Sequence, residues 1–339
     1  MATWYKSLII LLIILIGSSI SSAIEIDSIG CANLQEMMSE DEYKPDIEAI
    51  AFLDQPGYLC LLIEYYGLAV IKWQVNKPAR LVGKYQIEDK GKKIAISGNY
   101  VFITFGDYYW NEKTKDAGLL ILDLSNPSRP ELKARYLTDI GPRCLYIDGN
   151  HLFLGESYRG LHVIDISQID KPSLITKIPA ITSTYHIYAR DTLLYTLSRG
   201  TGLQIFNIAR IDRPQFISSY TCNDAALEIY DDYAYVFSLK GGLEILDITD
   251  PARIVQVSEY EYPSEYKRMK GFIRAIENKY LLVNNYFYDS LDLLNVTDPH
   301  VPALIKHYYI SSYSLFIADR GRDIFMYNYK GLIWKRISE

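Results

Sequence analysis

The chain lacks the residue patterns that usually mark an enzyme or a metal site. It has 4 cysteines in 339 residues and no CxxC pair, so a zinc ribbon and a dense disulfide framework are excluded. Its 5 histidines are scattered, and no HExxH, GxSxG or phosphate-binding GxxxxGK[ST] motif occurs. We therefore expect no catalytic residue, no metal and no cofactor. His186 is the best single catalytic candidate, because it falls on an expected innermost strand.

The chain also lacks a strong charge bias. It carries 35 basic and 41 acidic residues, a formal net charge of −6. Nucleic-acid-binding domains are typically basic. We therefore expect no nucleic-acid partner.

One long apolar run is present, at the amino end. Residues 7–20 are almost wholly Leu, Ile and small residues, Lys6 precedes them, and Ser21-Ser22-Ala23 offers a cleavage site. This pattern predicts a signal peptide over residues 1–23, no membrane span after cleavage, and an exported protein that is extracellular, periplasmic or on the cell surface. Two alternatives are an uncleaved anchor, for which the apolar core is short, and a lipid anchor at Cys31, which follows a glycine.

The remainder of the chain is dominated by an internal repeat. A phrase that starts with Gly-Leu or a variant of it returns about every 40–50 residues, close to the length of one propeller blade. Its seven copies start at Gly67, Gly118, Gly160, Gly202, Gly242, Ser290 and Gly331.

Two-helix solenoid repeats have a similar length, but the residue pattern opposes them. Each phrase alternates apolar and polar residues with period two, as in residues 162–166, and β-branched and aromatic residues dominate. The sequence therefore predicts an all-β, seven-bladed β-propeller of four-stranded antiparallel blades, forming one domain over residues 24–339. Too few residues follow Gly331 for a complete last blade, so an N-terminal strand near residues 23–29 is expected to complete it.

An acidic or amide residue closes most of the repeated third strands. These residues are Asp123, Asp165, Asn207, Asp247 and Asn295. Asp and Asn side chains commonly bond nearby backbone N–H groups and start turns. One such residue per blade is spread around the ring, so we expect turn formation rather than metal binding.

The repeated phrase resembles the LVIVD-repeat family of bacterial and archaeal exported or surface propellers. The matching segments have the form GLxVxD[IV][ST][DN]PxxP and are residues 118–130, 160–172, 202–214, 242–251 and 290–302. The resemblance implies the propeller fold. It carries no catalytic motif that could be transferred to this chain.

The loops between second and third strands are rich in aromatic and basic residues. Loops on a rigid scaffold commonly carry binding residues, and Tyr, Trp and Arg favour interface hot spots. The predicted ligand-binding residues are Tyr65, Tyr66, Tyr108, Tyr109, Trp110, Arg159, Arg199 and Tyr286. The loop with Tyr108–Trp110 has a competing role as a plug over the channel mouth.

These features favour a non-enzymatic propeller that binds a protein or carbohydrate through this face. The alternative is a polysaccharide hydrolase or lyase with its site at the central channel. That alternative requires converging acids or a metal cluster on the inner strands.

Overall fold

The fold is known from a computed structural model. It describes residues 25–32, 47–63, 66–74, 77–88, 90–106, 116–157, 159–179, 183–222, 224–238, 242–262, 271–276, 279–285, 290–309, 315–320, 323–328 and 331–338. The strands at the two chain ends are described by their backbone alone. The described residues form 28 strands, which pair into four-stranded antiparallel sheets.

Six sheets are blades built from consecutive strands, ordered from the inner to the outer edge. Blade 1 has β2 (Ile47–Phe52), β3 (Tyr58–Ile63), β4 (Gly67–Lys72) and β5 (Arg80–Tyr85). Blade 2 has β6 (Gly91–Ser97), β7 (Tyr100–Phe105), β8 (Ala117–Asp123) and β9 (Glu131–Thr138). Blade 3 has β10 (Pro142–Asp148), β11 (His151–Glu156), β12 (Gly160–Asp165) and β13 (Ser173–Ile178).

The other three blades repeat this order. Blade 4 has β14 (Thr184–Arg190), β15 (Leu193–Ser198), β16 (Gly202–Asn207) and β17 (Gln215–Tyr220). Blade 5 has β18 (Asp224–Tyr230), β19 (Tyr233–Ser238), β20 (Gly242–Asp247) and β21 (Val255–Glu261). Blade 6 has β22 (Gly271–Ile276), β23 (Tyr280–Asn285), β24 (Ser290–Asn295) and β25 (Ala303–Tyr309).

Both chain ends contribute to one further sheet, here called the terminal sheet. It has the order β1-β28-β27-β26, with β1 (Glu25–Ala32), β26 (Leu315–Arg320), β27 (Asp323–Asn328) and β28 (Gly331–Ser338). The expected pairing of an N-terminal strand with the last strand is present, because β1 runs antiparallel to β28 from Glu25↔Ser338 to Ala32↔Leu332.

The predicted number of seven blades is corrected to six. Blades 1 to 6 form a continuous series in which each inner strand contacts the next. The inner strand of the terminal sheet, β26, contacts β2 of blade 1, but no comparable contact joins it to β22 among the described residues. A propeller blade buries both faces against neighbours. Among the described residues, the terminal sheet has such a neighbour on one side only. We therefore do not count it among the blades.

The hydrophobic core lies between neighbouring blades. The second strand of each blade is almost completely buried because both of its faces pack against apolar side chains. Phe102 of blade 2, for example, packs in one cluster with Leu152 and Leu154 of blade 3. This packing makes each blade dependent on the adjacent ones.

The repeated Gly at the start of the third strand has a steric cause. Gly67, Gly118, Gly160 and Gly202 all have positive φ. A Cβ on any of them would collide with a backbone carbonyl oxygen of the outer strand, which for Gly118 is that of Tyr136. Only glycine fits both the dihedral angle and the space.

The acidic and amide residues that close the third strands form turns, as predicted. The Oδ1 atom of Asp123 accepts a hydrogen bond from the Ser125 N–H at 2.8 Å. The same bond occurs at Asp165, Asn207, Asp247 and Asn295. These five residues are therefore part of the scaffold rather than of a binding site.

The described part of the chain contains no apolar helix of membrane-spanning length.

Candidate functional site

The inner strands carry a β-bulge near their starting ends in five of the six blades. One residue is left out of the sheet pairing each time: Glu48, Lys92, Arg143, Tyr185 and Ala225. A bulge releases a residue from the ladder and re-aims its side chain. In a propeller this end of the inner strands surrounds one mouth of the central channel.

Four bulge residues meet in pairs across blade boundaries, and we call Glu48, Lys92, Arg143 and Tyr185 the channel-mouth cluster. The Lys92 Nζ atom lies 3.1 Å from the Glu48 Oε1 atom, with side chains 14% and 28% exposed. The Arg143 guanidinium lies over the Tyr185 ring, 5.7 Å from its centroid. Lysine–carboxylate and arginine–tyrosine contacts therefore join blade 1 to blade 2 and blade 3 to blade 4.

Basic side chains of two blades lie near this mouth. Lys93 is exposed beside Lys92, and the charges of Lys93 and Arg143 both act on the Cys144 thiol. Burial dominates at that thiol and raises its pKa to about 12, so Cys144 is an uncharged apolar side chain rather than a nucleophile. Lys92 is paired with the Glu48 carboxylate, and Arg143 contacts Tyr185 and Ser157.

Arg143 is positioned by a series of polar contacts that leads to the buried Glu156. The Arg143 Nε–H donates to the Ser157 Oγ atom at 2.5 Å, and Ser157 follows the buried Glu156. One Glu156 carboxylate oxygen accepts the Ile140 N–H at 2.9 Å, and the other lies 3.0 Å from the His162 Nε2 atom. These contacts fix the end of β11 against the segment that leads into β10.

Glu156 is ionised within this chain of contacts. Burial alone would raise the pKa of its carboxyl, but hydrogen bonds from His162 and Ile140 outweigh burial and hold the pKa below its ordinary value. The other ring nitrogen of His162, Nδ1, lies 3.0 Å from the Tyr136 hydroxyl of blade 2. His162 therefore has a structural role, with one ring nitrogen beside Glu156 and the other beside Tyr136.

The Tyr136–His162 contact recurs in altered form at two other blade boundaries, and we call these contacts interface clasps. At both boundaries an outer-strand tyrosine lies near an ionisable third-strand residue of the next blade. Tyr220 lies near Glu244 and donates its hydroxyl to the Gln256 Oε1 atom at 2.9 Å, and Tyr260 lies near Asp292. Burial raises the pKa of both Glu244 and Asp292. His307 partly offsets that rise at Asp292, through a contact of 2.5 Å.

Comparison with known families agrees with the repeat described above. The LVIVD repeat matches residues 90–138, 143–178 and 225–261, which cover blades 2, 3 and 5. The chain carries LVIVD repeats. No curated protein matches the sequence.

Solved structures similar to this LVIVD-repeat propeller share the fold at low identity. The WD40 propeller domain of Doa1 matches with a TM-score of 0.68 and 11% identity, over 93% of this chain and 97% of that one. BamB from Moraxella catarrhalis matches at 0.60 and 13% identity, over 85% and 82%. The periplasmic gluconolactonase PpgL of Pseudomonas aeruginosa matches at 0.61 and 13%, over 78% and 85%. At such identities the likeness establishes the propeller fold alone.

Most of the predicted ligand-binding residues lie outside the described residues of the LVIVD-repeat propeller. These are Tyr65, Tyr108, Tyr109, Trp110 and Tyr286. The predictions for these five residues therefore stay predictions.

Three predicted residues are described, and two of them, Tyr66 and Arg159, have side-chain contacts. Tyr66 packs against an apolar cluster of blades 1 and 6 and lies under the Lys84 ammonium, 5.8 Å from the ring centroid. Arg159 forms an ion pair with Asp139 at 3.3 Å, and Arg199 is exposed. No contact joins these three residues to one another in the described part of the chain.

The described inner strands show little that matches the enzymatic alternative. No group of three or more potential metal ligands occurs among the described residues. The Glu48 carboxylate is paired with Lys92 rather than with a second acid. His186 lies on β14 as predicted, beside the bulge residue Tyr185.

Sequence reasoning missed two parts of this site. Glu156 is a charged residue between an apolar run and a polar segment, a pattern typical of a loop, but it ends β11 and is buried. The only sequence signal for the bulge at Lys92 is the pair of adjacent polar residues, Lys92-Lys93, which breaks the alternation at the start of the strand.

Proposed function

We propose that this protein is an exported, non-enzymatic binding module that holds a protein or carbohydrate ligand at the face formed by the channel mouth and the loops after the second strands. The observation that supports it most directly is the channel-mouth cluster. Five inner strands each leave one residue out of the sheet pairing at the same end, and two of the five, Lys92 and Arg143, are basic. Bulges are frequent beside functional sites, where they aim a side chain away from the sheet.

The ligand chemistry follows from the charges on this face. Lys92, Lys93 and Arg143 lie at the mouth, and Arg159 and Arg199 stand on the loops of blades 3 and 4. Arginine forms paired hydrogen bonds with carboxylate, sulfate and phosphate groups. A glycan with acidic sugars, or an acidic protein segment, suits this face best. The predicted aromatic residues Tyr108, Tyr109 and Trp110 would add apolar contact area.

Export is the second part of the proposal. It rests on the apolar segment at residues 7–20, followed by small residues at 21–23. The similar gluconolactonase PpgL is a periplasmic protein by its description. Sequencing the amino terminus of the protein recovered from outside the cytoplasm tests this part, and a terminus at Ile24 is expected.

A glycan array probed with residues 24–339 tests the binding function, with an array of acidic peptides as the second arm. Replacing both Lys92 and Arg143 by Met should weaken binding to the best ligand at least tenfold, as loss of central arginine anchors commonly does. The matched control replaces Arg210 and Arg213 by Met, which are exposed in the turn after β16 at the opposite end of blade 4.

The control variant should bind normally. Binding that is equal in both double variants would place the ligand elsewhere on the molecule. Absence of any ligand on both arrays would overturn the proposed function.

A further inference from the structure

One pair of facing residues sets blade 5 apart from the other blades. The residue two places after the start of each repeated phrase pairs with a residue of the outer strand. In five blades that outer-strand partner is basic, a histidine or a serine: Lys84, Arg135, Lys177, Ser219 and His307. In blade 5 it is Glu259, which pairs with Glu244. Among the six blades, an acid faces an acid at this position in blade 5 alone.

The two glutamates lie at the boundary between blades 4 and 5. Tyr220, on the outer strand of blade 4, packs against the apolar cluster between these blades and lies near Glu244. Its hydroxyl donates to the Gln256 Oε1 atom at 2.9 Å, and the Gln256 Nε2 atom lies 3.4 Å from the Glu259 Oε2 atom. A polar connection therefore joins the outer strands of the two blades directly beside both carboxylates.

This pair of acids has no basic partner in the described part of the chain. The groups that face Glu244 are the Tyr220 hydroxyl from blade 4, the Glu259 carboxylate from β21 and the apolar Val236 from β19. The Cys222 thiol acts on Tyr220. No lysine, arginine or histidine of the described residues is bonded to either glutamate. When both carboxylates are charged, their repulsion is thus not offset locally.

A second pair of facing acids provides a contrast. Glu131 on β9 pairs with Asp123. There the Arg129 Nε atom lies 3.5 Å and the Lys133 Nζ atom 3.8 Å from the Glu131 carboxylate oxygens. The charges of that pair are balanced and exposed, so its ionisation has little effect on the packing of the blade.

Protonation of Glu244 relieves the repulsion in blade 5. Burial raises the pKa of Glu244 above its ordinary value of 4.5, and the charge of Glu259 adds to the rise, while the Tyr220 hydroxyl partly offsets it. Burial also raises the pKa of Tyr220 to about 12, so its hydroxyl keeps its proton. The contribution of Glu244 to stability is therefore complete below pH 4.5 and is lost as the pH rises through its raised pKa.

We propose that the boundary between blades 4 and 5 is a pH-sensitive joint, which is closed while Glu244 carries a proton and loosens when Glu244 and Glu259 are both charged. The boundary between blades 2 and 3 responds in the opposite direction, because its contacts stabilise the ionised form of Glu156. Rising pH therefore loosens one side of the ring and leaves the other side intact. The joint does not depend on the proposed function, since it involves no ligand.

Hydrogen–deuterium exchange of the mature protein at pH 4.5 and at pH 7, with rates corrected for the intrinsic effect of pH, tests the joint. The backbone amides of β17 and β21 should exchange about threefold faster at pH 7, because like charges directly opposite in a sheet destabilise it by about this factor. The amides of β9 and β13, the outer strands of blades 2 and 3, should show no such increase and are the internal reference.

Two substitutions separate charge from packing. Glu244→Gln should remove the difference between the two pH values, and Gln204 at the matching position of blade 4 shows that a blade accepts this residue. Glu259→Lys should reverse the sign of the difference, because an opposite charge would then face the ionised Glu244. Lys177 already occupies the matching position of blade 3. Glu131→Gln is the matched control and should leave the exchange of β17 and β21 unchanged.

Four results would overturn the inference. The first is equal exchange of β17 and β21 at both pH values, and the second is an unchanged pH effect in Glu244→Gln. The third is a Glu259→Lys variant that still loosens at pH 7. The fourth is an equal increase in all outer strands, which would indicate global unfolding rather than a local joint.

Discussion

Replacing Glu156 by Gln should lower stability at neutral pH and leave it almost unchanged in acid. Glu156 is 1% exposed and accepts hydrogen bonds from the Ile140 N–H and the His162 ring. Gln keeps the shape and a carbonyl oxygen but removes the charge. A hydrogen bond to a charged group contributes about 1.5–3 kcal/mol and a neutral one about 0.5–1.5 kcal/mol. The free energy of unfolding at pH 7 should therefore fall by about 2 kcal/mol.

The pH dependence follows from the lowered pKa of Glu156. Below its ordinary value of 4.5, the unfolded chain takes up a proton at this carboxyl more readily than the folded protein does. The stabilisation from Glu156 is thus complete above pH 4.5 and is lost as the pH falls through the lower folded pKa. Because Gln has no ionisable group, the difference between the two proteins should shrink towards zero over that range.

Denaturant unfolding followed by tyrosine and tryptophan fluorescence, at pH 7 and at a series of lower pH values, measures this difference. Glu131→Gln is the control, because Glu131 is an exposed carboxylate on β9. It should change the unfolding free energy by less than about 0.5 kcal/mol at every pH. A Glu156→Gln deficit that is the same at all pH values, or absent at pH 7, would refute the assignment of an ionised, hydrogen-bonded carboxylate.

Two further predictions concern the scaffold. Asp292→Asn should have the opposite pH effect. Because burial raises the pKa of Asp292, its charged form destabilises the fold as the pH rises through that pKa. The variant should lack this loss of stability in the same unfolding series. Gly118→Ala should destabilise by more than about 1 kcal/mol, because φ is +148° and a Cβ would meet the Tyr136 carbonyl oxygen. Gly98→Asp is its control, since Gly98 has open space around its Cβ position and Asp191 and Asp231 already occupy the matching hairpin turns with positive φ. An equal cost at Gly98 and Gly118 in denaturant unfolding would contradict the steric explanation.

The parts of the fold that depend on local chemistry were predictable from the sequence. The period and alternation of the Gly-Leu motif predicted the four-stranded blades. The Asp or Asn at the end of the third strand predicted the turns at Asp123 and Asp165. Both features arise within one repeat, so no contact with another repeat was needed to predict them. The predicted number of seven blades was wrong. The number of repeat copies gives the number of third strands, but it does not show which sheets contact one another around a ring.

The candidate site was less predictable, because its contacts are between repeats. The pairings of Lys92 with Glu48 and of Tyr136 with His162 join residues that are distant in sequence and belong to different blades. Nothing in one repeat shows which residue of the next will face it.

The bulges at the channel mouth let the side chains of the mouth vary independently of the fold. Each bulged residue belongs to a strand by sequence but takes no part in the paired ladder. The bulge position of neighbouring blades holds Glu, Lys, Arg or Tyr. The same backbone geometry therefore accepts an acidic, a basic or an aromatic side chain. Duplication of such a unit supplies a new blade and, with it, one free choice of side chain at the mouth. Substitutions at these positions can thus change the charge of the mouth one residue at a time while the sheets keep their pairing.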